Sequence, residues 1–131
     1  MENYEGWIVP GLSSHGAPPM VLPAALEKIK EGVLTADGTE QEVVAAVGLA
    51  EYYGLISLDK MTIGDKVAVS LYLRMTAEGE WKRYRRMEYA GPQEDPVLHL
   101  LVKVAQHGFR VTLHQFEGVP KTFEYCFYKK L

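Results

Sequence analysis

Two stretches in the second half of the chain alternate apolar and polar residues with period two, and this alternation limits the possible folds more than any other feature. Residues 67–76, Val-Ala-Val-Ser-Leu-Tyr-Leu-Arg-Met-Thr, carry an apolar odd face, and residues 80–90 resume the pattern after Ala77-Glu78-Gly79. A two-residue loop at Glu78-Gly79 would set Val69 against Glu88 and Leu71 against Arg86. A three-residue loop with Gly79 in the left-handed conformation sets Met75 against Trp81, Val69 against Met87 and Val67 against Tyr89, which keeps like with like. The same test on residues 109–130 places Phe116-Glu117-Gly118 in a loop. It pairs Val111 with Phe123, Phe109 with Tyr125 and Arg110 with Glu124. The expectation is two hairpins, over about 67–90 and 109–130, forming a four-stranded antiparallel sheet.

Three other segments read as helices. Pro23 suits a first helical position, and Leu22, Leu26, Ile29 and Val33 form a stripe, which predicts a helix over 23–31 before Gly32. Thr39-x-x-Glu42 has the spacing of a reciprocal cap and Gly54 a stop, giving a helix over 40–53 with Val43, Val44, Ala46, Val47, Leu49, Ala50 and Tyr53 inward. Asp95, Pro96 and Gly108 bracket a third, over 96–107, with Val97, Leu98, Leu101, Val104 and Ala105 on one face. The predicted class is α+β, with the helices packed mainly on one face of the sheet.

The 131 residues suit one domain. Residues 1–22 form a Pro/Gly-rich arm whose Trp7-Ile8-Val9 are apolar enough to pack on the body or add a short strand. No apolar run approaches bilayer length, and the acidic start Met1-Glu2-Asn3-Tyr4-Glu5 lacks the basic-then-apolar layout of a secretion signal. With Cys126 the sole cysteine and no internal disulfide open to it, the expected location is a reducing cytoplasm.

No phosphate-binding glycine loop or nucleophile elbow occurs. Ser13-Ser14-His15-Gly16 reads as a polar turn, because adjacent residues seldom face one another. His99 and His107 have Lys103 between them, which argues against a metal pair, and His107 is accounted for by the end of the predicted helix. His114 falls on a polar strand face, and Cys126 lies opposite Phe123, Tyr125 and Phe127 with no activating partner. Neither a cofactor nor a metal is expected, and the reading leans away from an enzyme.

Charge separates along the chain. Residues 1–66 hold four lysines and ten acids, net −6, whereas residues 67–131 hold ten cations and seven acids, net +3. The overall −3 disfavours a dedicated duplex-DNA binder. The positive charge concentrates at Lys82, Arg83, Arg85 and Arg86 around Tyr84. In the three-residue register Tyr72 faces Tyr84 and Arg74 faces Lys82, with Arg86 nearby, on the face away from the core. Such a surface is a wet sheet face, a protein interface, or a platform that stacks bases and holds phosphates. Arg83 and Arg85 fall on the core face, so they reach solvent past a sheet edge, pair with acids of the first half such as Glu42 or Glu51, or line an anion cleft with His99 and Glu88.

The leading expectation is therefore a small non-catalytic binding or regulatory module. It would act by protein contact and self-associate, as a homodimer, through a strand edge or the tyrosine face. The alternatives are single-stranded nucleic-acid binding through Tyr72, Arg74, Lys82, Tyr84 and Arg86, and an anionic-ligand or enzyme domain with its cleft at Arg83, Arg85 and His99. No membrane partner is expected.

Overall fold

The computed structural model describes residues 25–103 and 105–131; the expected packing of Trp7–Val9 lies outside them. The described residues contain eight strands and no helix: β1 Leu26–Thr35, β2 Glu40–Ala46, β3 Tyr52–Ser57, β4 Lys66–Arg74, β5 Trp81–Ala90, β6 Val97–Val102, β7 Phe109–Glu117 and β8 Thr122–Lys130. The α+β expectation is thus overturned. Each predicted helix gives way to strand: β1 overlaps 23–31, β2 and β3 occupy most of 40–53, and β6 occupies the first half of 96–107.

The strands form two antiparallel sheets, ordered β1-β8-β3-β6 and β2-β7-β4-β5. Crossovers join β1 to β2, β3 to β4, β5 to β6 and β7 to β8, and the members of each of these pairs hold corresponding places in the two sheets, whereas β4 and β5 are neighbours in one sheet. This is the eight-stranded jelly roll. Its core lies between the sheets, where Val43, Val44, Tyr52, Ile56, Val67, Val69, Leu71, Phe109, Val111, Leu113, Phe123 and Phe127 are buried. Tyr52 and Phe109 bridge the layers with ring centroids 4.7 Å apart, and the Tyr52 hydroxyl donates to the Gly48 carbonyl at 3.0 Å. Burial pushes that phenol above its ordinary pKa.

The two expected hairpins fare differently. β4 and β5 pair as read from Val67↔Tyr89 and Val69↔Met87 through Leu71↔Arg85. There the ladder shifts: Tyr84 is an extra residue, and the pairs become Tyr72↔Arg83, Leu73↔Lys82 and Arg74↔Trp81. The loop is longer than three residues, because Met75–Glu80 lie outside both strands, and Gly79 is not among the residues with positive φ. The second hairpin does not exist. β7 and β8 belong to different sheets, β7 between β2 and β4, and β8 between β1 and β3. Gly118 does adopt positive φ, 98°, but in a crossover rather than a hairpin turn.

Candidate functional site

The bulge at Tyr84 rearranges the predicted tyrosine face. Tyr84 is 66% exposed but has no partner across the ladder, so the expected Tyr72–Tyr84 and Arg74–Lys82 pairs do not form. Tyr72, Arg74 and Arg86 remain on the outer face of the β2-β7-β4-β5 sheet, in phase with Ser70 opposite Arg86, while Lys82 takes the opposite phase beside Leu73. Arg83, displaced by the bulge, joins the outer face opposite Tyr72; Arg85 keeps the inner phase opposite Leu71, and both are exposed because β5 is an edge strand.

Much of this outer face is internally satisfied. The Tyr72 hydroxyl and Thr112 Oγ1 both donate to Glu40 Oε2, the latter at 2.6 Å. The Thr112 bond, then the Tyr72 bond, hold the Glu40 carboxyl below its usual range against the effect of burial, and the same Glu40 bond raises the Tyr72 phenol. Arg110 Nε donates to Glu42 Oε1 at 3.1 Å while its guanidinium lies 5.5 Å from the centroid of the Tyr72 ring. Arg86 pairs with Glu88, and Arg74 stacks at 4.3 Å on Trp81. His114, on this face as expected, contacts the Gly38 carbonyl through Nε2 at 2.9 Å. No cleft gathers Arg83, Arg85 and His99. His99 sits in the other sheet, on its outer face, opposite Leu55 and stacked on Tyr53 with centroids 6.3 Å apart.

The four sheet edges differ sharply. β1 carries Glu27, Lys28, Lys30 and Glu31 and a bulge at Ile29. β2 carries Glu40 and Glu42 and a bulge at Val43. β5 carries Lys82, Arg83, Arg85, Arg86 and Glu88 and the bulge at Tyr84. Charges and bulges are the devices that stop an edge from acquiring another strand. β6, Val-Leu-His-Leu-Leu-Val, has none: it is six residues long, uncharged apart from any proton on His99, free of proline, and in unbroken register with β3.

The face beside this edge is apolar. Val97 is 56% exposed and Leu101 44%; Leu55 and Tyr53 adjoin them on β3, and Tyr128 and Cys126 on β8. Tyr53 donates to Glu51 Oε1 at 2.6 Å, and this bond, with burial and the carboxylate charge, pushes its phenol up to about 12, so it stays a neutral donor. Sequence reasoning missed this region by folding it into a helix. The signal was there in six consecutive uncharged residues between Pro96 and Lys103.

No protein-family model and no curated protein matches the sequence. Among solved structures, the chain is similar to one from a study of Bacillus endospore appendages, described as a novel family of disulfide-linked pili. The two are 14% identical with a TM-score of 0.48, over 93% of this chain and 99% of that one. At this level the likeness assigns neither family nor activity.

Proposed function

We propose that the chain is a non-catalytic binding or regulatory module that works through protein contact and associates with copies of itself by adding strand to strand at β6. The observation that carries this reading is the contrast among edges: three are charged and bulged, and β6 is regular, uncharged and flanked by exposed Val97 and Leu101. Strand addition supplies main-chain hydrogen bonds and buries the adjoining apolar side chains. Sedimentation over a range of concentrations tests it. The wild type is expected to shift to a larger species, and Leu101→Lys to weaken association by roughly tenfold or more, above about 1.4 kcal/mol. Folding stability is expected to change by less than about 0.5 kcal/mol, since residue 101 is exposed. A strict monomer at high concentration would remove the reading.

A second reading, single-stranded nucleic-acid binding, draws on exposed Lys82, Arg83 and Arg85, which make no ion pair among the described residues, around exposed Tyr84. It predicts oligonucleotide binding at low salt that weakens as salt rises and falls several-fold in Tyr84→Ala; no binding at low salt ends it.

A further inference from the structure

We infer that two copies pair through β6 antiparallel about a two-fold axis beside His99, so that His99 faces His99 of the second copy and Val97 faces its Leu101. This rests on the edge-association reading above and adds partner, symmetry and register to it.

The register follows from hydrogen-bond phase. Leu58 N donates to the Pro96 carbonyl at 2.8 Å, which makes Leu58 and Pro96 a hydrogen-bonded pair in the β3–β6 ladder. In an antiparallel ladder such pairs alternate with pairs whose N–H and C=O groups point away. With Ser57↔Val97 through Tyr52↔Val102 continuing the register, Leu98, Leu100 and Val102 bond to β3. The amide and carbonyl groups of Val97, His99 and Leu101 therefore point to the free edge, and no strand among the described residues takes them up. The same three residues carry their side chains on the outer face, and all three are exposed.

A second β6 is the edge that suits this one, because each of the other three would bring a bulge into the new ladder and several charges against an apolar strand. For two β6 strands, residues with free groups must oppose residues with free groups. Centring on His99 matches all three on each side; centring on Val97 or Leu101 leaves one or more unmatched at the ends. The two-fold arrangement is closed, so it stops at a dimer.

One consequence is sensitivity to charge at position 99. The imidazole of His99 shares the outer face with Tyr53 and Leu55 of β3, Cys126 and Glu124 of β8 and Glu31 of β1, with Glu51 held by Tyr53 and Lys103 following the strand. The β5 cations belong to the other sheet, on the far side of β6. The facing group in the dimer is the same residue of the second copy, so a charge introduced at 99 places like charges directly across a strand pair.

Nitroxide labels at Val97→Cys, His99→Cys and Leu101→Cys, each in a Cys126→Ser background, read the register, because these side chains stand off the sheet rather than into the new ladder. The expected result is strongest dipolar broadening at 99, where Cα atoms lie about 5.5 Å apart. Weaker and equal broadening is expected at 97 and 101, where like positions are offset by roughly 14 Å along the strand. In unlabelled protein the amides of Val97, His99 and Leu101 should gain exchange protection only as concentration rises. His99→Lys, which sets two like charges directly across the strand pair, should raise the dissociation constant several-fold, and His99→Gln should not. Unequal broadening at 97 and 101, or growth past a dimer, would overturn the two-fold register while leaving edge association standing. Protection at those amides in a species that sedimentation shows to be a monomer overturns both.

Discussion

Replacing Gly54 with alanine is expected to destabilise the fold by roughly 3 kcal/mol, and by more with valine. Gly54 lies in β3 directly opposite Phe127 of β8 and Leu100 of β6, with its missing side chain on the inner face of the sheet. The Phe127 ring occupies that space, and a methyl group built on residue 54 would overlap the ring edge. Phe127 is buried among the core residues and sits beside Tyr125, so the ring has nowhere to swing without displacing its neighbours. An aromatic laid across a strand glycine in this way covers backbone that the glycine would otherwise leave bare. Chemical denaturation measures the loss. If overlap with the ring is its cause, Gly54→Ala combined with Phe127→Leu costs less than the sum of the two single changes. Strict additivity would place the cause in the β3 backbone instead.

How much of this architecture the sequence discloses depends on whether local pattern and tertiary phase agree. They agree in the first half of the β4–β5 ladder, where Val67↔Tyr89 and Val69↔Met87 were legible from alternation. They part where bulges enter. At β2 the extra residue Val43 lets both Val43 and Val44 reach the core, and two adjacent inward valines imitate the wide stripe of a helix. The Thr39-x-x-Glu42 spacing, read as a helix cap, is part of a turn in which Asp37 Oδ1 accepts from both the amide and hydroxyl of Thr39. Those bonds hold the Asp37 carboxyl below its ordinary range. At β6 the apolar residues fall on both faces, Leu100 and Val102 inward, Val97 and Leu101 outward, so no period survives to separate strand from helix. The same outward residues that erased the pattern are the ones the association reading uses. For the tyrosine face, one unpaired residue at Tyr84 was enough to separate Tyr72 from its supposed partner. The assignment of β7 and β8 to different sheets depends on β1 closing against β8 from the far end of the chain, which no local window contains.

The second large effect is expected at Asp65, which lies in the β3–β4 crossover, is 2% exposed and ties three connections together. Its Oδ2 accepts from Lys121 Nζ at 2.7 Å, the Thr62 amide at 2.8 Å and Thr62 Oγ1 at 3.2 Å, while its own carbonyl accepts from the Gly91 amide at 2.9 Å. Gln115 Nε2 donates to the Val119 carbonyl at 2.9 Å, and its Oε1 accepts from the Lys121 amide at 2.9 Å, so the β7–β8 crossover is fastened to the same point. Burial alone would raise the Asp65 carboxyl, but the Lys121 bond and the Thr62 bonds outweigh it and hold the group below its usual value. The unfolded chain then binds a proton more readily than the folded one. The stability from this group is accordingly present above about pH 4, the unfolded aspartate range, and is lost as pH falls through the lower folded value. Lys121→Met leaves the carboxylate buried without its cation and is expected to cost roughly 3 kcal/mol at neutral pH. It should also flatten the acid limb: with the ammonium gone, burial opposes the two remaining Thr62 bonds, so protonating the carboxyl costs less stability than in the wild type. Asp65→Asn leaves Lys121, 20% exposed, with a neutral partner; it should cost less than Lys121→Met and flatten the acid limb of the stability profile. Urea denaturation from neutral to acid pH separates the cases, and an acid limb in Asp65→Asn as steep as in the wild type would assign the pH dependence to another carboxylate.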